Sequence, residues 1–336
     1  MKSARRVLVS GAPFIHDERT TARDAWLVSA LLVPVLCWEA LLSGPGIVET
    51  AGLAIVTALV ADIVQSGLRR RFEIDDGSAF LTGLLIALLL PAGLPLWIPP
   101  AAAAFAVLVV KGAFGGLGSN WMNPALGGLA FAWLDWPSLF SAALPGSPTG
   151  GRAPLVPGLS AFVQTFDDRL SAALNSLLFQ PLGANLPSGY FASLLGVHQG
   201  SVPGMPVGLV LLASTILIGM RVIRWQIPAA MFAFFALPIW IFGDRGSGGP
   251  FSGDVLGHSL AGIFLFVAFF MATDPVTSPS RTAKMVIFGS GSGLIAFAFA
   301  YSGAPAPAPI LAVLFMNIVM PFVDEAGHRI ARGGRS

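Results

Sequence analysis

Apolar residues in this chain run in long blocks, and polar residues gather in the short breaks between them. A helix rises about 1.5 Å per residue, so about 20 mainly apolar residues cross a hydrocarbon core of about 30 Å. Ten blocks approach that length, at roughly 24–43, 48–68, 78–92, 94–113, 122–136, 203–222, 226–243, 257–273, 284–303 and 306–323. Two of them, 78–92 and 122–136, are short and carry Gly or Pro, which predicts broken or tilted helices. Residues 1–23 are polar and charged, without the apolar run of a cleavable signal peptide, so none is expected. The blocks predict an all-α integral membrane fold of about ten transmembrane helices.

Charge placement gives that fold a direction, because cytoplasmic connections of membrane proteins are enriched in Lys and Arg. With the N-terminus inside, Arg152, Arg169 and Arg245 are the three of the 19 Lys and Arg that fall on the opposite side. The other 16 fall on cytoplasmic segments, and one span more or fewer would scramble the alternation. Both termini are therefore expected in the cytoplasm. Composition narrows the classes further. The chain of 336 residues is 55% hydrophobic and 11% charged, where a soluble domain carries about 25% charge. Its mean hydropathy is +0.77. A soluble enzyme, a disordered chain and a collagen-like chain are excluded. Helices in lipid tolerate the 39 Gly and 26 Pro because neighbouring helices re-satisfy broken backbone groups. A net charge of +2 spread over so few charges makes no basic patch, so no nucleic-acid partner is expected. The single Cys37 forms no internal disulfide and cannot alone supply the four thiolates of an iron–sulfur cluster. His16, His198, His258 and His328 are scattered, so no metal site is predicted. With no Ser/His/Asp triad and no dinucleotide fingerprint, no catalytic residue is assigned.

The longest connection, about 137–202, splits the spans five and five. An odd number per half makes two similar halves sit inverted in the membrane. Weak internal similarity fits this: Ser78-Ala-Phe-Leu-Thr-Gly83 matches His258-Ser-Leu-Ala-Gly262, and Asn120-Trp-Met-Asn123-Pro124 matches Met316-Asn317 with Pro321. The expected organisation is a leader (1–23), a first five-helix repeat (24–136), an outer loop (137–202), a second five-helix repeat (203–324) and a tail (325–336). Within the loop, 159–179 has helical spacing and reads either as a helix lying on the membrane surface or as a solvated linker.

Charged and amide groups near lipid are costly and need a partner or a function. Lys111 precedes a run with four glycines in seven residues, Gly112 to Gly118, then Asn120 and Asn123-Pro124. Such a run permits close backbone approach to a ligand, or is a plain hairpin between spans. Asn123 is suited to cap a helix that begins with Pro124, and free N–H groups there favour an electron-rich ligand edge. Asp274, in Thr273-Asp-Pro-Val-Thr277, ends the eighth span. It reads as a cap, as a partner of Arg281 or Lys284, or as an ion-pathway carboxylate. The residues alone reach a ten-span membrane protein of transporter-like build.

The same motifs resemble the D subunit of the Rnf electron-transport complex and, more distantly, the B subunit of the Na⁺-translocating NADH:quinone reductase. The resemblance covers nearly the whole chain: Ala12-Pro-Phe-Ile-His-Asp-Glu-Arg19, Ser78–Leu85, Lys111 with Gly115-Gly-Leu-Gly-Ser-Asn120 and Asn123-Pro-Ala125, Ile223–Pro228, Phe269–Thr277, and Asn317 with Pro321-Phe-Val-Asp324. It implies a subunit of a redox-driven pump in the bacterial cytoplasmic (inner) membrane, coupling electron transfer through flavins to Na⁺ or H⁺ translocation. It implies partners as well: two six-span membrane subunits, an FMN-bearing outer subunit, and an iron–sulfur subunit reacting with NADH or ferredoxin. A flavin-free transporter or channel, or an assembly subunit sharing the fold, stands as the alternative.

The family usually holds an FMN esterified to a Thr in the outer loop, in a motif of the form Asp-x-x-Ser/Thr-x-Ala-Thr/Ser, and a non-covalent riboflavin is expected in the membrane subunits. Here the motif reads Asp168-Arg-Leu-Ser171-Ala-Ala173-Leu174. Leu174 has no hydroxyl, so a phosphoester there is impossible and covalent FMN is expected to be absent. The remaining expectation is a flavin, riboflavin or FMN, bound without a bond. Its candidate contacts are Lys111, Asn120, Asn123 and Thr277, with Asp274 on the ion pathway.

Overall fold

Thr20 starts the first span: its backbone is extended and its hydroxyl accepts from Arg23 N–H at 3.2 Å. The computed structural model describes residues 20–69, 76–91, 93–113, 120–143, 155–183, 185–197, 205–243, 251–260, 263–303 and 306–333. Helix α1 (Thr21–Ser43) ends at Gly44, whose φ of 88° is open to glycine, and Pro45 turns the chain into α2 (Gly46–Arg69). Helix α3 (Ser78–Leu89) then packs on α2. A Cβ added at Gly83 would lie 2.6 Å from Ile55 Cα, so the missing side chain lets the two backbones meet. Helix α4 (Ile98–Ala104) continues as a π-helical stretch, Phe105–Lys111, and α5 (Pro124–Asp135) and α6 (Pro137–Ala143) follow.

The second group of apolar helices is α9 (Val207–Gly219), α10 (Gln226–Phe242), α11 (Val255–Ser259), α12 (Ile263–Phe266) with a π-helical stretch Val267–Met271, α13 (Thr282–Tyr301) and α14 (Ala308–Gly333). Helices α10 and α13 pack closely, and Gly293 leaves room there for the Met231 carbonyl. Both groups contribute to one continuous apolar core.

Among the described residues, α1, α2 and α13 are long and apolar enough to cross a membrane. Ser78–Leu89, Ile98–Lys111, Val207–Gly219, Gln226–Phe242 and Ala308–Val323 are shorter apolar helices. The expected shortness of 78–92 and 122–136 is met, since α3 and α5 have 12 residues each. The apolar block 257–273 holds two helical stretches, α11 and then α12 with its π-helical continuation. Asp254 caps α11, and the chain bends at Leu260 after only five helical residues. The His258 ring and the Ser259 hydroxyl bond back to the carbonyls of Asp254 and Val255 at 2.9 and 2.7 Å. The proposed match of Asn123 with Asn317 also differs in register. Asn123 precedes the first turn of α5, whereas Asn317 lies inside α14, which begins at Ala308.

Between the two groups lie α7 (Leu159–Leu174), a π-helical turn Asn175–Phe179, and α8 (Tyr190–Leu194), so the helix expected at 159–179 is present. Asp167 is 2% exposed, and its carboxylate accepts N–H groups of Gly189, Phe191 and Ala192 at 2.5, 2.8 and 3.1 Å. This carboxylate satisfies the free donors at the start of α8 from another helix. Trp38 Nε1 donates to the Leu195 carbonyl at 2.8 Å, and Val156 N–H to the Leu41 carbonyl at 3.4 Å. These bonds fix the segment on the C-terminal end of α1.

Candidate functional site: a cavity between the two helix groups

A cavity of about 130 Å³ opens where the two groups meet. The N-terminal turns of α1, the start of α3, Lys111 and the 120–124 segment form one side. Val222, Ile223 and the stretch from Phe269 to Val276 form the other. Leu81, Leu85, Phe269 and Phe270 give it apolar walls, while Asp24, Asp76, Lys111, Asn120 and Asp274 give it polar points.

Lys111 closes the π-helical stretch and is 5% exposed. Its Nζ lies 2.7 Å from Asp62 Oδ1 on α2 and 2.8 Å from Ser78 Oγ at the first turn of α3. Asp76 Oδ2 stands 4.0 Å away. Ser78 is itself fixed, because its N–H and hydroxyl both donate to Asp76 Oδ1 at 2.8 Å. One ammonium thus ties three segments of the first group together. A buried ion pair is tolerated when such extra hydrogen bonds offset the loss of water. Further along α2, Arg69 donates to the Gly112 carbonyl.

Asn123 behaves as its position predicts. Its backbone is extended, and its Oδ1 accepts from Ala125 and Leu126 N–H at 2.9 and 3.3 Å, with Pro124 at the first helical position. Asn120 is different. It lines the cavity at 7% exposure, and its buried Oδ1 meets no donor among the described residues. A buried acceptor without a partner costs about 1–3 kcal/mol, so a ligand N–H or a water in the cavity would relieve it.

Asp274 follows the Val267–Met271 stretch by three residues. Its carboxylate accepts from Val276 N–H at 3.1 Å and from the Thr277 hydroxyl at 3.4 Å. This is a turn of the capping kind, one of the roles the sequence left open. Thr273, also lining the cavity, turns its hydroxyl back to the Phe269 carbonyl.

The structure therefore brings Lys111, Asn120, Asn123 and Asp274 to one cavity; Thr277 holds Asp274 from outside it. The Gly-rich run at 114–119 lies outside the described residues. Asp168, Ser171 and Leu174 stand apart on α7. Asp168 is exposed, Ser171 is buried with a hydroxyl that meets no partner among the described residues, and Leu174 is half-buried. Sequence reasoning passed over Asp62 and Asp76. Asp62 left a readable sign, an acid inside the apolar block 48–68. Asp76 left none, because it reads as an ordinary connection residue.

Comparison with known proteins gives this arrangement its relatives. The model of the NQR2, RnfD, RnfE family matches residues 8–331. A Clostridium ljungdahlii protein, named as the D subunit of a proton-translocating ferredoxin:NAD(+) oxidoreductase complex, is 30% identical over 337 residues, covering 97% of this chain and 96% of its own length. The corresponding protein of Acetobacterium woodii, named as the D subunit of the Na(+)-translocating complex, is 27% identical over 320 residues, 94% of this chain and 92% of its own. The D subunit of an ion-translocating oxidoreductase complex from Sodalis glossinidius is 31% identical over 348 residues, 97% and 99% of the two chains. With a family match spanning almost the full length, this chain belongs to the NQR2, RnfD, RnfE family.

Proposed function

We propose that the chain is a D-type integral membrane subunit of an ion-translocating oxidoreductase complex, and that its cavity holds a non-covalent flavin beside a cation path. The observation that carries this reading is the cavity itself, where Lys111 of the first group and Asp274 of the second face one space. The lining's chemistry suits the edge of a flavin, and a volume of about 130 Å³ takes one ring of its three, so the rest of the flavin would lie toward the opening. Apolar walls with two phenylalanines accept a flat ring, and the unpartnered Asn120 Oδ1 offers an acceptor to a ring N–H. Lys111 supplies positive charge nearby, already balanced by Asp62. A bound flavin would supply one- and two-electron transfer.

The chain's own part is electrostatic. A unit of negative charge added in the cavity attracts a cation by roughly 4 kcal/mol at about 4 Å and an effective dielectric of about 20. That is about a thousandfold in affinity. Asp274 sits where such a cation would pass. Relatives are named for both proton and Na⁺ translocation, so the cation is one of these two. In this reading the ten apolar blocks form two inverted repeats in the cytoplasmic membrane with both termini inside. The partners are two six-span subunits, an FMN-bearing outer subunit and an iron–sulfur subunit reacting with NADH or ferredoxin.

The test is flavin retention. The complex purified with this subunit should release riboflavin or FMN on denaturation, and Asn120→Ala should lower the flavin-to-protein ratio without loss of assembly. A complex that assembles normally and keeps its full flavin content with Asn120→Ala overturns the assignment of this cavity.

A further inference from the structure

Helix α7 presents three faces, and each meets a different surrounding. Val163, Asp167 and Ser171 follow the i, i+4, i+8 spacing of one helix face and are buried against the chain, with Leu170 and Leu174 half-buried beside them. Gln164, Thr165 and Asp168 lie together on the opposite side and are exposed. The third face is at odds with water. Phe162, Phe166, Arg169 and Ala173 recur at i, i+4, i+7 and i+11 and are all exposed. Phe162 is 68% and Phe166 48% exposed, and the next turn adds Leu177 at 73%. The one charge on this stripe is Arg169, whose long apolar stem can lie along such a surface while its guanidinium reaches polar headgroups.

We infer that this stripe is seated in the headgroup–acyl boundary of the bilayer, so that α7 is a membrane-surface helix. Two observations select lipid over a protein partner. The segment that bears the stripe is joined to the C-terminal end of α1, a helix long enough to cross the membrane. Val156 N–H bonds to the carbonyl of Leu41, an exposed apolar residue of α1, and Leu42 packs against the Val163 cluster, so α7 starts where the outer surface of α1 ends. The charges are also sorted as an interface requires, with Arg169 on the apolar stripe and Asp168 on the water side. Asp167 keeps this orientation, since rotation of α7 would break its three bonds to the start of α8.

The membrane seat of α7 is independent of the flavin reading and has its own test. Single cysteines replace Phe166, Leu177, Thr165 and Asp168 in turn, on a Cys37→Ala background. Each carries a nitroxide label in the assembled complex, in phosphatidylcholine/phosphatidylglycerol vesicles. Power saturation compares access of oxygen, which concentrates in lipid, with that of a water-soluble nickel chelate. The oxygen-to-nickel ratio should be several-fold higher at Phe166→Cys and Leu177→Cys than at Thr165→Cys and Asp168→Cys. Equal ratios at all four positions place α7 in water and overturn the proposal. Immobile labels at Phe166→Cys and Leu177→Cys, closed to both reagents, place a protein partner on the stripe and overturn it as well. Flavin content is untouched by either outcome.

Discussion

Lys111 Nζ lies 2.7 Å from Asp62 Oδ1, across 49 residues of sequence, with Ser78 Oγ and Asp76 on its other side. The pair joins the end of the π-helical stretch to α2 at a place where neither charge reaches water. Removing one partner leaves the other buried and uncompensated, which costs about 3–5 kcal/mol. Lys111→Met should therefore lower the thermal midpoint of the purified complex in detergent sharply. Lys111→Met combined with Asp62→Leu should recover much of the loss, because both charges are then gone. A double variant as unstable as the single one would show that the pair is not the source of the effect.

The outer segment leads to a chemical prediction. Leu174 stands at the motif's acceptor position and has no hydroxyl, and it is half-buried on the face of α7 shared with Val163, Asp167 and Ser171. Denatured protein should show no flavin fluorescence in a gel. A fluorescent band that mass spectrometry maps to residues 155–183 would overturn this. Leu174→Thr should remain unmodified while α7 stays docked, since the new hydroxyl would lie on that half-buried face.

Much of this arrangement could be read in the sequence because apolar length and capping chemistry are local. Asn123-Pro124 announces a helix start, and the start is there with its two bonds. The short blocks at 78–92 and 122–136 announce short helices for the same reason. What escaped was set by contacts between distant segments. Nothing local says that Lys111 meets Asp62, or that Asp167 rather than Asp168 anchors α7, because adjacent acids on a helix differ only in which face they occupy.

Sidedness is open to direct labelling. Thr165 on α7 and Ser280 before α13 are both exposed, and the Lys/Arg distribution predicts opposite sides of the membrane for them. On a Cys37→Ala background, Thr165→Cys should react with an impermeant maleimide in intact spheroplasts. Ser280→Cys should react only after lysis. Labelling of both from the same side would break the ten-span arrangement.

The sharpest prediction concerns Asp274. Its carboxylate does two things at once, holding a turn through Val276 and Thr277 and placing a negative group on the cavity that Lys111 and Asn120 also line. Asp274→Asn separates these. The amide oxygen can still accept from Val276 N–H, so the turn survives and the cost in stability should be within about 1 kcal/mol, the net worth of a typical hydrogen bond. The charge is lost, and with it the attraction that would draw a cation toward the cavity. Electron transfer through the complex should continue, while the number of cations moved per electron falls. The measurement is paired: Na⁺ uptake or acidification by inverted vesicles against electron flow in the same preparation. If the variant assembles and keeps the parent's ratio, Asp274 is a turn-forming residue and the cation path lies elsewhere. Asp274→Ala provides the control. It removes turn and charge together, so a defect seen with Ala but not with Asn would assign the residue to structure alone.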